Sequence, residues 1–465
     1  MSHSDVRLDF NLTMEKVIGE EGIRSEEVDA LQENTKEIHR GLHAMKEMGQ
    51  IPFYNLPYAE DSAEKILKTA NELREKFDTL VVLGIGGSAL GSKALLSSLR
   101  GPYFNYFSSE IRSGARVFIC DNIDPDSFGS LLDLLDLNKT LFNVISKSGQ
   151  TIETMSQFMV VKHLLKEKIG NRWADHIVLT TDPEKGSLRQ MVKEEKFRSF
   201  EIPPGVGGRF SALSPVGLFP AAMAGIDILE LLAGARRAEV RTQLEDLWMN
   251  PSYMLAALQY LMHRKKKNIV VMMPYSDLLF PLAEWYCQLW AESIGKRFSL
   301  KGEVVNAGST PIAACGTKDQ HSQLQLYMEG PNDKYFLFLI FENFSKTIAI
   351  PEASVRQEHL TSLVSHTMGE ILQAEARATE TALRDQGRPS SRFLIPHRNP
   401  YAVGQLLFLL EVATAFAGGL FNVNPFDQPG VELVKKLTAG LLDRPGFESY
   451  KNQVLGQKRD PRFVV

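Results

Sequence analysis

Hydrophobic positions along this chain follow two alternating periods. Short apolar runs with strand composition occur at Leu80 to Leu83, Arg116 to Cys120, Phe142 to Ile145, His176 to Thr180, Asn268 to Met273 and Tyr335 to Phe341. Between them lie stretches in which apolar residues return every three or four positions, the period of an amphipathic helix. Ile66, Leu67, Ala70, Leu73 and Phe77 make one such stripe, and Ile152, Met155, Phe158 and Met159 another. Further helices are predicted at Tyr253 to Met262, Leu282 to Lys296, Ser362 to Arg384, Ala402 to Phe416 and Val431 to Leu437. Strand–helix alternation of this kind builds α/β units with mainly parallel sheets flanked by helices. The alternation restarts near residue 240, so two doubly wound halves are expected, at 56–240 and 241–440. An N-terminal helical arm precedes them at 1–55, with Val28, Leu31, Ile38, Leu42 and Met45 on one stripe, and a short polar tail covers 441–465.

Two weakly charged runs resemble membrane spans, but prolines break Phe210 to Ile226, and Glu411 and two glycines interrupt Tyr401 to Phe426. Both are expected inside a large core rather than in a bilayer. The N-terminus lacks the apolar stretch of a signal peptide, so a cytoplasmic protein is expected. With 465 residues, 44% hydrophobic and 23% charged, the chain is long enough for two or three domains. Its net charge of −4 leaves no electrostatic footprint for nucleic acid. The three cysteines, Cys120, Cys287 and Cys315, are too scattered for a disulfide framework or a zinc site.

Candidate chemistry gathers where strands give way to helices. After Ile145 the chain reads Ser146, Lys147, Ser148, Gly149, Gln150, Thr151, and then a helix begins. Hydroxyls, a lysine and a glycine at a helix N-terminus are what a phosphate monoester requires. An ordinary capped turn has the same composition, so the pattern alone leaves both readings open. Earlier, Leu80 to Leu83 leads into GIGGSALG, which shares glycines with the dinucleotide fingerprint without its clean spacing or the acidic residue that should follow. Such a turn can offer N–H groups and the Ser88 hydroxyl to the same anion, because loops at the carboxyl ends of parallel strands share one sheet edge.

Four further features stand out. Arg209 lies in a segment shaped by glycine and proline, Ile202 to Pro220, that runs into an apolar stretch and so should be anchored near the core. Glu284, Gln288 and Glu292 recur every four residues as a polar stripe on a helix that also carries Trp285 and Trp290, which makes Glu292 a candidate base. His321 sits alone in a stretch rich in Gly and Thr, and His263 to Lys267 reads as a solvated helix end.

Taken together, GIGGSALG, SKSGQTIET, PPGVGGRFSALSPVG, WAESIGK, GTKDQHSQLQL and FDQPGVELVKK resemble, in order, the motifs of the glucose-6-phosphate isomerase (phosphoglucose isomerase) family. Ala89 and Pro429 depart from the residues usual beside those motifs. The resemblance implies two sugar-isomerase (SIS) domains and an aldose–ketose isomerisation through a cis-enediol, with no cofactor and no metal. By residue, it implies that Gly87, Ser88, Ser146, Ser148 and Thr151 hold the substrate phosphate, with Lys147 adding charge. Glu153, Gln288 and Gln428 would line the sugar. Glu292 would be the base, Arg209 would stabilise the enediolate, and His321 and Lys435 would open the pyranose ring. The partners implied are a small sugar phosphate and a second copy of the chain, a homodimer in which His321 crosses between subunits; nucleic acid and membrane are not expected. An isomerase that also accepts mannose 6-phosphate, and a non-catalytic sugar-phosphate sensor, are the alternative readings.

Overall fold

The computed structural model describes residues 4–351 and 358–465. A short strand near the start, β1 (Arg7–Asp9), leaves the N-terminal arm to join a distant sheet. The next five strands, β2 (Thr79–Leu83), β3 (Arg116–Cys120), β4 (Thr140–Ile145), β5 (Ile177–Thr181) and β6 (Arg198–Glu201), form a parallel sheet in the order β3-β2-β4-β5-β6. Every residue of β2, β4 and β5 is buried, as expected of parallel strands covered by helices on both faces. The strand order reverses between β2 and β4, whose last paired residues are Leu83 and Val144. The loops that follow these two strands therefore emerge side by side at the switch point, where ligands of open α/β sheets bind.

The second sheet contains β7 (Ile269–Pro274), β10 (Thr310–Ala313), β11 (Lys334–Asn343) and β12 (Ser390–His397), in the order β1-β12-β11-β7-β10. Only β1 runs antiparallel, pairing Arg7 with Leu394. A small antiparallel ribbon, β8 (Lys296–Phe298) with β9 (Val304–Ala307), follows the helix Phe280–Ile294.

One continuous apolar core serves both halves. Its axis is the helix Pro400–Leu420, which is long and apolar enough by composition to cross a membrane, yet is almost entirely buried within the protein. The helix Ile228–Thr242 lies directly on it. A Cβ on Gly234 would stand 1.9 Å from the Tyr401 carbonyl oxygen, and one on Gly404 1.9 Å from that of Leu231, so the two glycines permit backbone-to-backbone contact.

Several expectations from the pattern are corrected. Met159 is 68% exposed, because Phe158 and Val161 supply the buried face of the helix Ile152–Ile169. The basic run after Met262 is not simply solvated: Lys267 is buried and bonds Glu21 and the Asn332 carbonyl, both at 2.6 Å, tying the arm to the second half. The helix expected from Ser362 starts at Met368, where Thr367 and Glu370 form a capping box. The stretch 304–321 contains β9 and β10, and β12 was hidden by its arginine and proline. The tail carries a helix, Glu448–Leu455, packed on Glu432–Leu441.

Candidate active site

The loop after β4 is braced from within. Ser146 is buried, shares a 2.9 Å hydrogen bond with the Thr151 hydroxyl and accepts the Gly149 N–H at 3.1 Å. Thr181, at the end of β5, donates to the Ser146 carbonyl at 2.7 Å. Gly149 adopts φ +63°, and a Cβ there would meet the Leu188 nitrogen at 2.5 Å, so only glycine fits. Ser148 is exposed, and its hydroxyl accepts the Gln150 N–H at 3.2 Å. Thr151 precedes the 18-residue helix Ile152–Ile169 without capping it through its side chain. The first-turn N–H groups of that helix thus face the loop uncapped, with the positive end of the helix dipole behind them.

The loop after β2 meets a third loop, 206–211. A Cβ on Gly87 would lie 2.2 Å from the Gly208 carbonyl carbon, so this glycine permits the contact. Ser211 donates to the Gly208 carbonyl at 2.6 Å. Lys147 reaches from the β4 loop and donates to the Val206 carbonyl at 2.9 Å. Ser88 lies half-buried in the 3-10 turn Gly86–Ser88 beside this junction.

The junction leads straight to the polar stripe. Along the helix Phe280–Ile294, Glu284 is exposed and Glu292 half-buried, while Trp285, Tyr286, Leu289 and Trp290 are buried. Gln288 Nε2 donates to Glu292 Oε1 at 2.9 Å, and a Cβ on Gly86 would lie 3.0 Å from that nitrogen. Gln288 Oε1 is buried and has no hydrogen-bond partner among the described residues.

Arg209 sits 2% exposed at the centre. Its Nη1 donates to Glu292 Oε2 at 3.1 Å and to Gln428 Oε1 at 2.9 Å; Nη2 donates to the carbonyls of Pro425 at 2.6 Å and Asp427 at 3.0 Å; Nε donates to Ser293 Oγ at 2.7 Å. Burial holds its pKa below the usual arginine value, against the opposing pull of Glu292 and Asp427. Two remote segments, the helix end at Glu292 and Ser293 and the turn 425–428, are thereby fixed on one guanidinium.

One participant was missed at the sequence level. Lys296 is buried at the end of the same helix, where Nζ donates to the backbone carbonyls of Glu292 and of Ser293, the latter at 3.0 Å, and lies 3.7 Å from the Asp427 carboxylate. Burial first, then the neighbouring Arg209 charge, lower its pKa to about 8. It caps the carbonyl end of the helix that carries Glu292. The signal was the lysine that closes WAESIGK, directly after the helix-ending glycine.

The other expected residues lie apart. Glu153 is half-buried in the first turn of Ile152–Ile169. His321 is exposed in the 3-10 turn Lys318–His321. Lys435 is exposed on Glu432–Leu441 and pairs with Glu432 at 2.7 Å. Among the described residues of this chain, neither His321 nor Lys435 makes a hydrogen bond or ion pair with the Arg209–Glu292 cluster. Among the described residues no group of three or more His, Cys, Asp or Glu is placed to hold a metal ion.

Comparison with known proteins shows what this chain is similar to. Residues 68–453 match the family described as phosphoglucose isomerase. A glucose-6-phosphate isomerase of Carboxydothermus hydrogenoformans is 47% identical over 461 residues, covering 99% of each chain. A Rubrobacter xylanophilus protein of the same description is 42% identical, over 85% of this chain and 90% of its own. Among solved structures, a hypothetical protein of Thermus thermophilus superposes with a TM-score of 0.85 at 37% identity, over 94% of this chain and 99% of that one. A glucose-6-phosphate isomerase from Chlamydia trachomatis shares the fold at a TM-score of 0.80 and 23% identity, over 96% of both chains.

Proposed function

The chain belongs to the phosphoglucose isomerase family and interconverts glucose 6-phosphate and fructose 6-phosphate, and on that premise we propose that Glu292 is the base that carries the proton between C2 and C1. One observation carries this assignment: the Glu292 carboxylate is held between Gln288, which backs onto the glycine loop after β2, and Arg209. A carboxylate so placed takes the C2 proton of a sugar anchored by its phosphate and returns it to C1 through a cis-enediol. Positioned general bases contribute roughly 10²–10⁴-fold. The guanidinium of Arg209 supplies fixed positive charge where the enediolate oxygens become negative.

The phosphate is held by Ser88, Ser146, Ser148, Thr151 and the Gly87 backbone, with Lys147 adding charge. Gln288, Gln428 and Glu153 line the sugar. His321 and Lys435 open the ring, His321 acting in the site of a second copy within a homodimer. That arrangement accounts for its exposure in the single chain. Proton transfer by a carboxylate with charge stabilisation by a guanidinium proceeds without metal or nucleotide. Three unpaired cysteines suit a reducing cytoplasm.

A coupled assay of fructose 6-phosphate conversion, run with EDTA on wild type and Glu292→Gln, tests the reading. Full wild-type turnover with EDTA and a collapse of kcat in the variant are expected. A variant with wild-type kcat would assign the base elsewhere, with Glu153 the next candidate.

A further inference from the structure

A cavity of about 360 Å³ opens at the seam between the two halves, beyond the carboxyl ends of β7, β11 and β12. Its walls include Phe104 and Phe107, from the connection between the helix Leu90–Arg100 and β3, and Phe344, just after β11. Among the described residues three cations line it, Arg100, Lys346 and Arg398, and no carboxylate does. Arg100 closes its helix and stacks on Phe104 with 5.2 Å between guanidinium and ring centre; Arg398 follows β12 directly.

Both arginines have a buried Nε with no hydrogen-bond partner among the described residues. Among the described residues, the charges that act on Arg100 are those of Arg74 and Arg398, both cationic. Arg74 and Arg100 crowd the same point: a Cβ on Gly225 would lie 3.3 Å from Arg74 Nη1 and 2.7 Å from Arg100 Nη2. Buried donors are normally satisfied, and a partly buried cation without a counter-charge is unfavourable. Arginine forks grip carboxylate and phosphate groups in bidentate fashion, and an apolar hollow of this size holds the body of a small ligand. The helix Leu90–Arg100 separates this cavity from the glycine loop at its other end by about 16 Å, at 1.5 Å per residue.

We propose that this cavity is a second ligand site, binding a small organic oxyanion, a phosphate monoester or carboxylate with an aromatic or apolar body, clamped by Arg100 and Arg398. Occupancy would bridge the two halves, because Arg100 and Phe107 come from the first and Arg398 and Phe344 from the second.

Titration calorimetry of the full chain, with its catalytic site saturated by an equilibrated mixture of glucose 6-phosphate and fructose 6-phosphate, tests this. The probes are phenyl phosphate, benzoate and inorganic phosphate. One aromatic oxyanion is expected to bind in the presence of substrate, with Kd raised at least tenfold in Arg100→Met and in Arg398→Met. The KM for fructose 6-phosphate should stay within twofold. Tighter binding of phenyl phosphate identifies a phosphate ligand, and tighter binding of benzoate a carboxylate. Should either arginine variant fail to fold, Lys346→Met and Phe107→Ala, at exposed positions on the rim, carry the same expectation of a raised Kd. The proposal is overturned if neither aromatic probe binds at millimolar concentration, or if substrate displaces them. Inorganic phosphate binding as tightly as phenyl phosphate, or variants leaving Kd unchanged, would overturn it too.

Discussion

Arg209 Nη1 stands 3.1 Å from Glu292 Oε2, although 83 residues separate the two along the chain. A guanidinium has five N–H donors, and here all five are used. Three of them fix the carbonyls of Pro425 and Asp427 and the Ser293 hydroxyl, which hold the arginine in place. The remaining two, to Glu292 and Gln428, point at side chains that a sugar can displace.

Replacing Glu292 with glutamine keeps the shape and the bond from Arg209 while removing the basicity. We expect kcat to fall by at least roughly 10²-fold with KM within a small factor, the pattern of a group acting in the transition state. Turnover in deuterated water should label C2 with wild-type enzyme and hardly at all with the variant. Near-normal exchange by the variant would exclude Glu292 as the base.

Gly87→Ala places a methyl carbon 2.2 Å from the Gly208 carbonyl carbon and must push the Arg209 loop away. Since displacements of about 1 Å cost about 10² in rate, kcat/KM should drop by that order. Gly129→Ala, where nothing lies within 4 Å, is the control and should retain full activity. Equal activity of the two variants would show that the loop contact is not needed for the reaction.

Ser146→Ala with Thr151→Ala removes both members of the 2.9 Å hydroxyl pair and the acceptor of the Gly149 N–H. Loss of one charge-assisted contact to a phosphate corresponds to about tenfold in affinity. KM for fructose 6-phosphate should therefore rise about tenfold or more, while Tm falls by the smaller amount that follows from leaving the buried Gly149 N–H without its acceptor. An unchanged KM takes this loop out of the phosphate site.

If His321 completes the site of a second copy, inactive His321→Ala and Glu292→Gln chains should partly restore activity when mixed and reassembled. Each hybrid dimer then holds one site with both groups intact. No regained activity, with hybrid dimers verified by native mass spectrometry, would mean that each site is built within a single chain.

Glu411 lies fully buried in the helix Pro400–Leu420, with no partner for either carboxyl oxygen among the described residues, and desolvation raises its pKa well above the usual value. A raised folded pKa contributes stability that is complete below the unfolded value, about 4.3, and is lost as pH climbs toward the folded one. Glu411→Met removes the titrating group at similar volume. Its Tm should therefore exceed that of wild type by more at pH 8 than at pH 5. A Tm difference that does not change between these pH values would show that Glu411 does not titrate differently in the folded and unfolded chains.

The layers of the fold and the identity of the chemical groups follow from local pattern alone. Buried parallel strands are continuous apolar runs, so β2, β4, β5, β7 and β11 were legible, as were the half-buried edge strand β3 and the helical stripe bearing Gln288 and Glu292. Strands that carry arginine or proline, such as β12, and those set in loop-like composition, such as β9 and β10, were not, because sheet pairing rather than local propensity makes them strands. Which groups meet is a property of the folded chain. Periodicity relates residues a few positions apart, whereas Arg209, Glu292 and Gln428 converge through sheet topology and close glycine contacts. Lys267, which local pattern places at a solvated helix end, and Lys296, at the end of its predicted helix, are buried, because the carboxylates and carbonyls that satisfy them arrive partly from distant segments.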